Sequence, residues 1–272
     1  MIQMEKESGW RCVKIEKSGR VAVVRFDRKD GVNALSLRAM RELTEAAEWM
    51  RADHDIYAVA LVGSDKGFSA GRDLKDPEMD PRRDGPLLNC RWAAGAGARL
   101  CKAWADLEQY TTCNIEGFAI GGGLALAVSV DYRAISETAH LRAPEAALGL
   151  SMSWGSVPRI VNLVGPARAK QILIHANKSI EADQALAWGL VEEITPEDES
   201  AAAAIHAAEL AAEIPPVAAR MIKRTVDAYA NALADSVVHM DTDQVLLAES
   251  GADHLEAVDA FLAKRAPTFT GA

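Results

Sequence analysis

The chain has 272 residues, 49% of them hydrophobic and 25% charged, enough to bury the core of one large domain or of a smaller domain with an appendage. Its 30 basic residues stand against 39 acidic ones, a formal net charge of −9. That balance excludes a broad nucleic-acid face, because phosphate backbones recruit Lys and Arg in excess, but not a small anionic ligand held by a few local cations.

The four cysteines, Cys12, Cys90, Cys101 and Cys113, form no CxxC pair and no metal-ligand spacing with the six histidines. Buried, reduced thiols and no metal site are expected. The opening residues, MIQMEKESGW, are polar and lack the apolar region of a secretory signal. The longest uncharged stretch, Gly117 to Val130, has 14 residues including four glycines, short of the roughly 18 to 20 that a membrane span needs. A cytoplasmic protein without a membrane partner is expected.

Residues 12–26 predict two strands about a tight turn at Ser18 and Gly19. A helix follows, with Ser36 as its N-cap and Met40, Leu43, Ala47 and Met50 on one face. The apolar run 57–63 predicts a strand that ends in the loop SDKGFSAGRDL, and one long helix is expected from about Leu87 to Leu107. A strand around Thr111 to Ile115 then leads into the glycine-rich turn IEGFAIGGG and a helix, LALAVSV. Recurring strand, glycine turn and helix indicate an α/β fold with largely buried strands.

From about residue 200 the pattern becomes wholly helical, giving two expected regions, 1–200 and 201–272. Pro215 and Pro216 interrupt it, after which Val217, Met221, Ile222, Val226 and Leu233 share a stripe, and a final helix carries Leu255, Val258, Phe261 and Leu262. Stripes with no layer of their own to cover suggest a homo-oligomer.

Gly121, Gly122 and Gly123 open a helix directly after a strand. Such a turn admits a substrate close to the backbone, and its N–H groups favour a negative oxygen; it serves equally for tight strand-to-helix packing. A dinucleotide fingerprint does not fit, since Ala125 and Leu126 stand where its last glycine belongs. H-E-x-x-H does not occur, and His140 reads as a structural histidine. Glu145, after Pro144 and among apolar neighbours, suits proton transfer near neutral pH if buried, and a helix-opening surface charge if not.

KGFSAGRDL (66–74), IEGFAIGGGLALAVSVDY (115–132) and LRAPEAALGL (141–150), with Arg159 beyond, together resemble the crotonase or enoyl-CoA hydratase/isomerase superfamily. The early R-x4-N-A-L segment (Arg28 to Leu35) and the ending FLAKRAPTFTG fit as well, so the resemblance spans nearly the whole chain. It implies a crotonase-like spiral of ββα units followed by a C-terminal α-helical trimerisation region. It also implies trimers or paired trimers acting on acyl-CoA thioesters, as in fatty acid metabolism, with coenzyme A as part of the substrate and no separate cofactor.

Carried over by position, the oxyanion hole falls on the backbone N–H groups of Ala70 and Gly122, and the proton-transfer carboxylate on Glu145. The segment Ala70, Gly71, Arg72, Asp73, Leu74 and the loop with Arg28 and Ala34 would line the CoA channel, with Ser153 near the acyl group. Arg28, Lys29, Arg72 and Lys75 would supply positive potential for the CoA phosphates. The second carboxylate of two-glutamate hydratases maps onto Ala125 and is missing, which favours double-bond isomerisation by a single glutamate. Alternatives are an atypical hydratase or lyase on an aromatic or branched enoyl-CoA, with Ser153, Glu116 or a water replacing the lost group, and a non-catalytic CoA-binding homologue. Further departures are Lys29 for proline after Arg28, Gln109 and Tyr110 for Lys-Pro, Glu116 for Asn, and Ser153 and Trp154 where glycine and proline are frequent. The acyl pocket is expected to depend on Trp154 and on the loop 76–91 with Pro77, Pro81 and Pro86.

Overall fold

The first strand pair follows directly from its alternating sequence: β1 (Val13–Ser18) and β2 (Val21–Phe26) pair antiparallel, with Val13 opposite Phe26 and Ser18 opposite Val21. The computed structural model describes residues 9–79 and 85–272. Pro81 and the polar opening residues 1–8 lie outside that range. The chain continues through α1 (Leu37–Ala52) and β3 (Ala58–Val62) to α2 (Leu87–Ala94) and α3 (Ala96–Ala105). Next come β4 (Tyr110–Ile115), β5 (Phe118–Ile120), α4 (Gly122–Ala127), β6 (Tyr132–Ser136) and β7 (His140–Arg142). Then follow α5 (Ser156–Ile174), β8 (Ile180–Glu181), α6 (Ala182–Trp188) and β9 (Glu193–Thr195). The remainder is helical: α7 (Ser200–Ala212), α8 (Pro216–Ala230), α9 (Asp235–Val238), α10 (Asp241–Glu249) and α11 (Ala252–Leu262).

Two sheets result, in the orders β1-β2-β3-β4-β6-β9 and β5-β7-β8. The larger is parallel from β2 to β9, and all five residues of β3 are buried, as a strand covered on both faces requires. Ser36 caps α1 by accepting the Ala39 N–H at 3.2 Å, and Met40, Leu43, Ala47 and Met50 are fully buried as the spacing predicts.

Three expectations are corrected. The long helix is two helices broken at Gly95, so that α3 leaves α2 and brings Gly97 under the ring of Trp154. The helix expected to open the appendage, α7, instead covers the outer face of the sheet: Ala208 packs on Val21, Val23, Ala58, Ala60 and Val62, and the Thr112 hydroxyl donates to the Ala204 carbonyl at 2.7 Å. The divide between sheet core and outlying helices therefore falls at Pro215 rather than at 201. Of the four free thiols only Cys101 and Cys113 are buried, and burial pushes both up to about 12; Cys12 and Cys90 are half-buried. Among the described residues no helix is long and apolar enough to cross a membrane.

Candidate active site

The two glycine-containing loops singled out in the sequence meet backbone to backbone. Ile120 N–H donates to the Ser69 carbonyl at 2.9 Å, and Ser69 bridges Ala119. Gly71 has φ +81°, and a Cβ on it would stand 2.4 Å from the Ile120 carbonyl oxygen and 2.8 Å from the Gly122 nitrogen. Only glycine allows so close an approach, and this approach brings Ala70 and Gly122 to one wall of a single cavity of about 400 Å³.

Strand β7 delivers the carboxylate to that wall. The Arg142 carbonyl accepts the Gly121 N–H at 2.8 Å, and the chain then turns through Pro144 into a short 3-10 turn, Glu145–Leu148. Glu145 as a whole is partly exposed to the cavity, yet its Oε2 is buried and has no hydrogen-bond partner. Burial pushes its carboxyl up from 4.5 to about 7, against a hydrogen bond from its own backbone and the charge of Arg142, which both pull it down. It is the only acidic residue among the described residues that line the cavity, and Ala125 lines it as well.

The two oxyanion candidates differ. Gly122 opens α4, and among the described residues its N–H makes no hydrogen bond outside that helix. The Ala70 N–H, in contrast, donates to the Val32 carbonyl at 2.9 Å. As an oxyanion donor Ala70 must share or exchange that bond.

Leu74 and Ser153 also line the cavity, whereas Arg28, Ala34, Gly71 and Asp73 do not. Arg28 donates to the Ala34 carbonyl at 2.8 Å and to Asp73 Oδ2 at 2.9 Å, and lies 3.4 Å from Asp30. Arg72 pairs with Glu249. Two of the four cations expected to meet CoA phosphates are thus neutralised from within, leaving Lys29 and Lys75, both exposed. Lys29 has φ +59°, a conformation closed to the proline it replaces. Glu116 is buried and accepts from the Ser200 hydroxyl at 2.7 Å, outside the cavity lining, so it does not replace the missing carboxylate.

Sequence reasoning left the role of Trp154 open, placed Phe261 only in a helix stripe, and did not single out Arg142 or Arg265. Trp154 has φ +62° and Gly155 φ +68°, which explains why glycine suits this stretch. The indole covers both glycine-bearing helices: a Cβ on Gly97 would stand 1.8 Å from its Cε2, and one on Gly122 2.4 Å from its Cζ3. Asp241 Oδ2 fixes the turn by accepting the Gly155 N–H at 2.8 Å. Phe261 and Arg265, from α11 and just beyond it, complete the wall.

Paired glycine loops and a buried carboxylate thus meet at one cavity. The chain matches the enoyl-CoA hydratase/isomerase family over residues 16–272 and belongs to that family. A short-chain-enoyl-CoA hydratase of Clostridium acetobutylicum is 30% identical, over 93% of this chain and 95% of its own. A 1,2-epoxyphenylacetyl-CoA isomerase of Escherichia coli is 28% identical, over 92% and 95%. The crystal structure of an enoyl-CoA hydratase/isomerase from Pseudoalteromonas atlantica superposes with a TM-score of 0.85 at 26% identity, covering 96% of this chain and 100% of its own. The protein is an enzyme of the hydratase/isomerase type with the crotonase fold.

Proposed function

We propose that this enzyme shifts the double bond of an enoyl-CoA thioester, with Glu145 as the single group that moves the proton. The observation that carries this reading is the lone buried carboxylate beside the glycine turn, raised to about 7. A carboxylate with that value is half ionised at neutral pH, so it takes a proton from carbon and returns it at comparable cost. Negative charge grows on the thioester oxygen as the proton leaves. The Gly122 N–H at the start of α4 meets it, joined by Ala70 N–H when that donor turns from the Val32 carbonyl. Glu145 then protonates the carbon two positions along, so that no atom is gained or lost overall.

Hydration is the second reading, favoured by Ser153, whose side chain lines the cavity and offers a water one further partner. A panel of short, branched and aromatic 2-enoyl and 3-enoyl-CoA esters, scored separately for double-bond position and for hydrated product, tests the proposal. Conversion of 3-enoyl to 2-enoyl esters with little 3-hydroxyacyl product supports it; hydration alone overturns it.

We also infer that the helices beyond Pro215 form a subunit contact, in a trimer or a pair of trimers. The stripe of Val217, Met221, Ile222 and Val226 lies exposed on α8, with Tyr229 at 89% and Leu233 at 81%. Apolar surface of that extent on one face is the mark of a buried interface. Light scattering of the purified protein reads the assembly, and a monomer at micromolar concentration would contradict it.

A further inference from the structure

Three arginines line the active-site cavity, Arg72, Arg142 and Arg265. Two have a carboxylate of their own: Arg72 pairs with Glu249 and Arg265 with Glu256. Arg142 has none. Its Nε donates to the Ala176 carbonyl at 3.0 Å and its Nη2 reaches Asn177 Oδ1 at 3.4 Å, and among the described residues no acidic side chain forms an ion pair with it within 4.0 Å. A half-buried guanidinium in a cleft, with no carboxylate in ion-pair contact and only the charge of Glu145 acting on it from further off, attracts an anion, and its planar fork suits a carboxylate.

Resting on the acyl-CoA reading above, we propose that Arg142 and Asn177 form a subsite for a carboxylate at the far end of the acyl group, so that the preferred substrates are CoA esters of dicarboxylic acids. Asn177 also lines the cavity, and with its Oδ1 turned to Arg142 its Nδ2 is a second donor to the same anion. The placement selects the acyl end over the phosphates of CoA. Arg142 lies three residues before Glu145 and its charge acts on that carboxyl, whereas the long pantetheine arm holds the CoA phosphates far from the thioester. The exposed cations Lys29 and Lys75 belong to two other loops, after β2 and after β3.

Calorimetric titration with saturated, unreactive esters separates this from catalysis. Pentanoyl-, hexanoyl- and octanoyl-CoA are compared with glutaryl-, adipyl- and suberyl-CoA, their counterparts ending in a carboxylate. At one chain length or more, the dicarboxylate ester is expected to bind about tenfold tighter, as a charge-assisted pair of hydrogen bonds implies. Arg142→Gln is expected to bring that ratio to about one, Arg142→Lys to keep part of it, and Asn177→Ala to lower it. No preference at any length in the native protein overturns the proposal, as does a preference that survives Arg142→Gln. Equal weakening of every ester and of free CoA by Arg142→Gln overturns it in favour of a phosphate contact. Failure of all CoA esters to bind overturns the acyl-CoA reading, and this proposal with it.

Discussion

A Cβ placed on Gly121 would stand 2.6 Å from Glu145 Oε1. The Glu145 carboxylate is therefore pressed against the bare backbone of the glycine turn, and position 121, with φ +54°, admits no side chain without moving it. Gly121→Ala is expected to lower turnover about 100-fold, since a displacement of about 1 Å costs that much. The backbone at φ +54° and ψ −117°, a region nearly reserved to glycine, adds about 1–3 kcal/mol of destabilisation. Steady-state kinetics beside a urea melt separates the two, and full activity in a destabilised variant would show that the contact does not position Glu145.

The raised carboxyl sets the pH dependence. As a base, Glu145 must be ionised, so kcat/KM is expected to fall about tenfold per pH unit below about 7 and to level off above it. A plateau reaching down to pH 5 would place the proton transfer elsewhere.

The same carboxyl acts on stability with the opposite sense. Its folded value, about 7, lies above the ordinary 4.5, so the fold penalises the ionised form. That penalty is absent below pH 4.5, grows between the two values and is complete above about 7, where it amounts to at most about 3 kcal/mol. Glu145→Gln is accordingly expected to be more stable than the native protein at pH 8 and equal to it at pH 4.5. Urea midpoints at the two pH values check this, and a variant less stable at pH 8 would contradict it.

Trp154 couples backbone strain to pocket shape. Trp154→Ala and Trp154→Gly both remove the indole from above Gly97 and Gly122, at a cost of about 3 kcal/mol. Because φ is +62° at this position, the glycine variant is expected to be the more stable of the two by about 1 kcal/mol. Both should accept bulkier acyl groups, read as a lower KM for branched or aromatic esters. An alanine variant more stable than the glycine one would contradict the left-handed backbone.

Much of this was legible because it is local. The first hairpin turn, formed at Gly19–Arg20 one residue beyond the expected Ser18–Gly19, the Ser36 cap and the apolar face of α1 depend on residues within one or two turns of each other. The glycine loops and Glu145 were singled out through their resemblance to a family, and they line one cavity. What stayed hidden depends on partners distant in the chain. Nothing local marks Asp73 as the carboxylate that neutralises Arg28, or Glu249 as that of Arg72. The Val32 carbonyl that takes the Ala70 N–H is equally remote from it in sequence. A helical segment such as α7 reads alike whether it covers a sheet or stands apart, and the packing of Ala208 decides between them.

The central claim is that one carboxylate carries the proton between two carbons of the acyl chain. It is tested most directly by following 3-hexenoyl-CoA in deuterated buffer by NMR, with the native enzyme and with Glu145→Gln. The account predicts 2-hexenoyl-CoA from the native enzyme with protium carried to the new carbon in a measurable share of the product, and a rate lower by about 10²–10⁴ in the variant, the usual contribution of a positioned acid–base group. Conversion by Glu145→Gln at the native rate would contradict it.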